Sequence, residues 1–233
     1  RSDDAEVRRT PASTAEGLDG RIRALYRDSV KRLVALLDGV FANLEDCLFE
    51  IAYISDEPDI HKRCFDLMRE MRLQHGAIRR GFARRLLLHL EEWYQFGGLY
   101  GFPPDTNDAA EKTRAAHRLA ARSRAHLAPA VTRIEGLLAE RITEWHRDSG
   151  AASVAAPAFP LAPESVTRVF MVVVEGLDLD GGQRELVLSL FRRYVLDRMG
   201  SLIAAWTLEL GLLDQDAQAA MPDLTRLPGD GAA

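Results

Sequence analysis

Residues 22–55 read IRALYRDSVKRLVALLDGVFANLEDCLFEIAYIS, and the spacing of their apolar side chains decides the fold class. Ile22, Tyr26, Val30, Leu33, Leu37, Val40, Leu44, Cys47 and Ile51 recur every three or four residues. That period puts them on one face of an α-helix. Gly39 is the weak point, since an interior glycine costs up to about 1 kcal/mol relative to alanine. Ser55-Asp56-Glu57-Pro58 ends this helix and starts another, because proline disfavours a helical residue before it and suits a first turn.

The second segment repeats the pattern more strictly. Cys64, Met68, Met71, His75, Ile78, Phe82, Leu86, His89, Trp93 and Phe96 follow a period near about 3.5 residues, as in a coiled coil. Each helix is about 38 residues, or roughly 57 Å long. With so short a turn the two form an antiparallel hairpin over 18–96. A turn centred near Glu57 sets His75 opposite Gly39 and Val40, His89 opposite Leu25 and Tyr26, and Cys64 near Glu50 and Ile51.

Outward from the hairpin, residues 1–17 read as a polar tail and 97–108 as a loop broken by glycine and proline. A third helix follows over 109–148, with Pro129 as a kink or restart, then an alanine- and proline-rich linker over 149–162. A helical pair occupies 163–213, its second helix running unbroken from about Gln183, and 214–233 is a tail. No segment alternates with period two. The fold class is all-α: a long antiparallel hairpin plus further helices in an elongated bundle, as one domain over 18–213.

The 233 residues are 47% hydrophobic and 28% charged, proportions that exclude wholesale disorder, a collagen repeat and a membrane-spanning protein. A net charge of -5 argues against nucleic acid as a direct partner. Lys31, Lys62 and Lys112 are the only lysines among the 30 basic residues, so the rest are arginine. Cys47 and Cys64 read as reduced core residues, too few for a disulfide framework and without ligand spacing. The polar stretch Arg1 to Gly20 has no apolar h-region and no run reaches the length of a membrane span. A cytoplasmic location is the expectation.

Candidate chemistry is sparse. His61, His75 and His89 share one helix column, but fourteen residues between neighbours is about 21 Å, too far for one metal. They read as structural histidines, with His89 bonding the Tyr26 hydroxyl. Arg79, Arg80, Arg84 and Arg85 surround Phe82 on a segment, Ile60 to Phe96, with 8 basic and 4 acidic residues. They form either an anion or acidic-partner site or a solvated face that pairs with neighbouring helices. Arg80 and Arg84 imitate the arginine pair of cyclic-dinucleotide receptors, yet sit mid-helix with no barrel following. Asp178-Leu179-Asp180-Gly181-Gly182 is a capped turn, because Ser189 stands where a calcium loop needs a bidentate glutamate. No di-iron, phosphate-loop, nucleophile-elbow or zinc-protease motif is present, so neither a metal nor a cofactor is expected.

Three stretches carry a resemblance: Leu44 to Glu50 (LEDCLFE), Phe65 to Arg72 (FDLMREMR), and Gly176 to Asp180 with Leu188 to Leu196. In that order, over about Leu33 to Leu213, they resemble the N-terminal helical region of the bacterial domain-of-unknown-function family number sixteen thirty-one. Gly181-Gly182 departs from the family pattern and implies a looser corner. The resemblance implies a helical module without the family's C-terminal region, and a regulatory role. Glu45, Asp46, Phe49, Phe65, Met68, Arg69, Glu70 and Arg72 are the motif residues that the hairpin brings together. Glu45 or Asp46 is expected to pair with Arg69 or Arg72 and lock the register, with Phe49, Phe65 and Met68 packed beneath.

The functional expectation is a non-catalytic interaction or scaffold module, binding another protein or itself. Trp93, Tyr94, Phe96, Tyr100 and Phe102 gather at the open end of the hairpin, either as a contact surface or folded back as a cap. The alternatives are a ligand-sensing regulator linked to cyclic-dinucleotide signalling and, more remotely, an enzyme built on His75, His89, Glu91 and Glu92.

Overall fold

The computed structural model describes residues 11–95, 107–149 and 159–220, and the side chains of 20–90, 111–139 and 159–211. Their regular elements are all helical. In chain order they are α1 (Pro11–Ile54), α2 (Pro58–Gln95), α3 (Asn107–Ser149), α4 (Pro163–Val174), α5 (Gly181–Tyr194) and α6 (Gly200–Ala220), with a 3-10 turn over Leu196–Arg198.

Three residues connect α1 to α2. Ser55 ends α1 by donating its N–H to Ile51 O at 3.1 Å, and its hydroxyl accepts the Glu57 N–H at 3.1 Å. Pro58 opens α2 without losing a hydrogen bond, since a first-turn N–H has no partner within the helix. So tight a turn leaves the helices antiparallel. The apolar stripe of α1 is then sealed, with Tyr26, Leu33, Leu37, Val40 and Leu44 at 0% exposure. The Tyr26 hydroxyl donates to Leu86 O on α2 at 2.8 Å.

α1 is the common support, packing on α2, α5 and α6, while α4 bridges α2 and α3, and α3 also meets α6. Two aromatic groups join these layers. Phe170 of α4 stacks flat on Phe191 of α5 at 3.9 Å, and both meet Phe82 of α2 edge-on. Trp206 of α6 packs edge-on against Tyr26 and Phe159. Such contacts add about 0.5–1.5 kcal/mol per pair beyond area burial.

The boundaries depart from the sequence reading in five places. α1 begins at Pro11, inside the expected tail, and α6 continues to Ala220 on a run of glutamine and alanine that favours helix. α3 passes through Pro129 as one helix, with the proline on an exposed position. The expected continuous last helix is two helices: between Val195 and Gly200, both weak helix formers, the Arg198 and Met199 N–H groups bond three residues back. This turn redirects the chain from α1 toward α3. Finally, Phe159, Leu161 and Ala162 at the end of the expected linker are buried in the core, and the Phe159 N–H donates to Glu135 Oε1 at 2.8 Å.

The corner expected to be loose is fastened. Asp180 Oδ1 accepts the Gln183 N–H at 2.8 Å, and Gln183 Oε1 accepts the Asp180 N–H at 3.0 Å. This reciprocal capping box satisfies two donors at the start of α5.

Candidate functional site

One flank of the α1–α2 seam carries a polar ladder. Asp38 Oδ1 lies 3.2 Å from His75 Nε2 and 3.1 Å from Arg79 Nε. Seven residues along α1, Glu45 receives two parallel bonds from Arg72, Nε to Oε1 at 3.0 Å and Nη2 to Oε2 at 2.8 Å. The guanidinium holds the Glu45 carboxyl below its ordinary range, and Glu45 raises Arg72 in return. The register expectation is thereby resolved to one pair, and Asp46 and Arg69 are exposed, while Glu70 is half-buried.

The packing expected beneath that pair is absent. Met68 is buried, but Phe49 is 56% exposed and Phe65 52%. Phe49 follows Glu45 by one helical turn and Phe65 precedes Arg72 by two, so both share the outer flank with the ion pair rather than the core side. Toward the turn, Tyr53 at 83% and Ile54 at 79% extend the exposed apolar surface. The tip of the hairpin is therefore apolar on the outside, above a core already filled by Leu48, Ala52, Cys64 and Leu67.

This surface had a signal in the sequence. Within Leu48 to Ile54 every residue but Glu50 is apolar or aromatic. A helix can turn only Leu48 and Ala52 inward there, so the others must project. The aromatic cluster singled out instead, Trp93, Tyr94, Phe96, Tyr100 and Phe102, lies outside the residues whose side chains are described, as do Glu91 and Glu92.

The four arginines do not converge. Arg79 joins the seam with Asp38, Arg80 is exposed and folds back over Gly76, Arg84 is exposed, and Arg85 borders the α4 side. No single anion-gripping cluster results, because positions 79, 80, 84 and 85 are spread around the helix circumference.

Arg85 borders a shallow cleft of about 330 Å³ between α2 and α4, walled by Ile78, Gly81, Val173 and Leu177. The helices approach closely here: a Cβ on Gly81 would lie 3.5 Å from Val173 Cγ1. His89 is one turn further on, where burial and the cations Arg168 and Arg85 push its pKa down to about 4. Burial also lowers Arg168, against the pull of Glu164. His89 is thus a neutral imidazole near pH 7, far from the value that suits a general base. Cys47 and Cys64 are free thiols, and burial pushes Cys64 up. Among the described residues no group of three or more histidine, cysteine or carboxylate side chains is placed to hold a metal ion. No helix among them is long and apolar enough to cross a membrane.

Comparison with known proteins finds no matching family model, curated protein or solved structure. The physical surface therefore carries the functional argument.

Proposed function

We propose that this chain is a non-catalytic helical interaction module that offers the apolar tip of its α1–α2 hairpin to another protein, within a regulatory assembly of the kind the motif resemblance implies. One observation carries the reading: Phe49, Tyr53, Ile54 and Phe65 are exposed together beside a filled core. Single exposed apolar residues are ordinary, but a contiguous aromatic patch marks a contact site, and aromatic residues are enriched at interface centres. The polar ladder behind it fixes the register of the two helices and so the shape of the patch.

The test places a photo-crosslinking amino acid at Asp46, one helical turn from Phe49 and exposed, in the full chain and compares adducts in the source cells with and without Phe49→Ser, Tyr53→Ser and Phe65→Ser. A discrete adduct lost in the triple variant, with the melting temperature kept, supports the reading. The same adducts in both chains would remove it.

A second reading, ligand sensing, rests on the α2–α4 cleft, whose volume is at the lower end of small-molecule sites. Its apolar walls and single guanidinium suit a small amphiphilic anion better than a doubly charged cyclic dinucleotide. Calorimetric titration of such an anion against wild type and Arg85→Gln discriminates the two readings.

A further inference from the structure

From Lys112 to Ile134 the sequence holds six lysine or arginine residues and no aspartate or glutamate, in a chain whose net charge is -5. The fold neutralises two of the six. Lys112 pairs with Glu175 at 2.5 Å and Arg124 with Glu164 at 3.5 Å, carboxylates from the two ends of α4. Arg114, Arg118, Arg122 and Arg133 are exposed, and no ion pair to them is found among the described residues. α3 packs its other side on α4, α5 and α6, and at about 100° per residue the four arginines fall together on the outward side. Arg114, Arg118 and Arg122 form a row with a rise of about 6 Å per step, and Arg133 follows three turns beyond. Ala121, Ala125 and Ala128 beside the row are exposed, and such short side chains leave the guanidiniums standing clear of the helix surface.

An ordinary solvated helix face interleaves acid and base, as Asp28 and Arg32 do on α1 at 2.9 Å. Unlike charges four residues apart stabilise a helix and like charges destabilise it. The row on α3 sets like against like twice, at Arg114 with Arg118 and at Arg118 with Arg122, a repulsion that an external anion relieves. We infer that an acidic helix of another protein docks with its own row of carboxylates along Arg114, Arg118 and Arg122. Rows of residues four apart are the ridges along which helices pack, and carboxylates in such a row repeat at the same spacing of about 6 Å. Each guanidinium presents a planar fork that takes a carboxylate through two bonds.

The surroundings of the row select a narrow occupant. Glu111, Glu175 and Asp197 are exposed around α3, the last two held to Lys112 and Ser123, so a bilayer or a nucleic-acid duplex meets carboxylates as soon as it extends beyond one helix. The exposed apolar residues of 111–136 are Ala121, Ala125, Ala128 and Pro129, too small to anchor in a bilayer. Acidic residues elsewhere in the chain do not cancel the row for a short segment, since salt screens charges beyond about 8 Å.

The row lies on α3 and the apolar tip on α1 and α2, so the inference goes beyond the proposed function and its failure is separable from it. The test follows the fluorescence anisotropy of a labelled alanine-based peptide, about 20 residues long so that it forms helix, with glutamate at every fourth position. It is titrated with the full chain at low ionic strength, and circular dichroism confirms equal helicity of each variant. Saturable binding that weakens as salt is raised is expected. Arg118→Glu with Arg122→Glu is expected to weaken it by about tenfold or more, and Arg114→Gln with Arg122→Gln by a smaller factor. Phe49→Ser with Tyr53→Ser is expected to leave it unchanged, and a peptide of the same composition with its glutamates gathered at one end is expected to bind more weakly. Absence of binding by the wild type, indifference to both arginine pairs, equal binding of the rearranged peptide, loss in the tip variant, or tighter binding of a short DNA duplex or of phosphatidylserine vesicles would each overturn the inference.

Discussion

Trp206 on α6 donates its indole N–H to the hydroxyl of Ser29 on α1 at 2.8 Å, inside the core. Ser29 in turn donates to Leu25 O at 2.8 Å, so one small side chain serves both the indole and its own helix. Replacing Ser29 with alanine leaves a buried indole N–H without its acceptor, a loss of about 1–3 kcal/mol. Urea unfolding of Ser29→Ala, Trp206→Phe and the double variant forms a cycle whose coupling is expected to be positive. Strictly additive effects would mean that packing alone, not the hydrogen bond, joins α6 to α1.

Gly39 breaks the helical preference of α1 without a geometric need. A Cβ there would meet Tyr194 Cδ1 at 3.6 Å, an ordinary van der Waals distance, and the Tyr194 hydroxyl is already anchored on Asn43 Oδ1 at 2.6 Å. Gly39→Ala therefore gains helix propensity of up to about 1 kcal/mol. In a domain of this size the melting temperature is expected to rise by about 2–4 °C. A fall on thermal scanning would show that α5 cannot yield the space.

The Glu45–Arg72 pair is bidentate but open to solvent, with Arg72 64% exposed. Exposed pairs contribute little and are screened by salt. Arg72→Met is expected to lower the melting temperature slightly at low ionic strength and not at all in high salt, and Arg69→Met to leave it unchanged at both. A large, salt-independent drop for Arg72→Met would show that the pair is shielded from water.

The hairpin was legible because its evidence is periodic and local. His75, placed by spacing opposite Gly39 and Val40, meets Asp38 one residue away, and the acid-to-base crossing at Glu45 and Arg72 lies where the register puts it. Aromatic exposure was not legible in the same way. Phe49 and Phe65, expected beneath the ion pair, lie exposed on its outer flank, because Leu44, Leu48 and Cys64 set the position of the core and leave no inward room. Phe159 failed in the opposite sense. A proline-rich neighbourhood marks a loop but says nothing of whether its last residues reach the core, and only the fold brings Phe159 onto Trp206. The arginine run illustrates a third gap: four guanidiniums adjacent in sequence are distributed around a helix, so proximity in the chain did not become convergence in space.

His89 gives α2 a pH-dependent attachment. Its pKa falls from 6.5 to about 4 on folding, through burial first and then the Arg168 and Arg85 cations. The unfolded chain therefore binds a proton that the folded chain refuses. Stability is full above about pH 6.5 and declines as the pH falls toward about 4, by on the order of 2–3 kcal/mol in all. Glu45 acts in a lower window, since its depressed carboxyl gives stability that is kept above its unfolded pKa and lost only in stronger acid. Urea midpoints measured between about pH 7 and pH 4.5 separate the two. His89→Gln, neutral at every pH and close in shape, is expected to flatten the profile across that interval while leaving the acid limb in place. An unchanged slope in the variant would assign the titration to another group and leave His89 a packed, silent side chain.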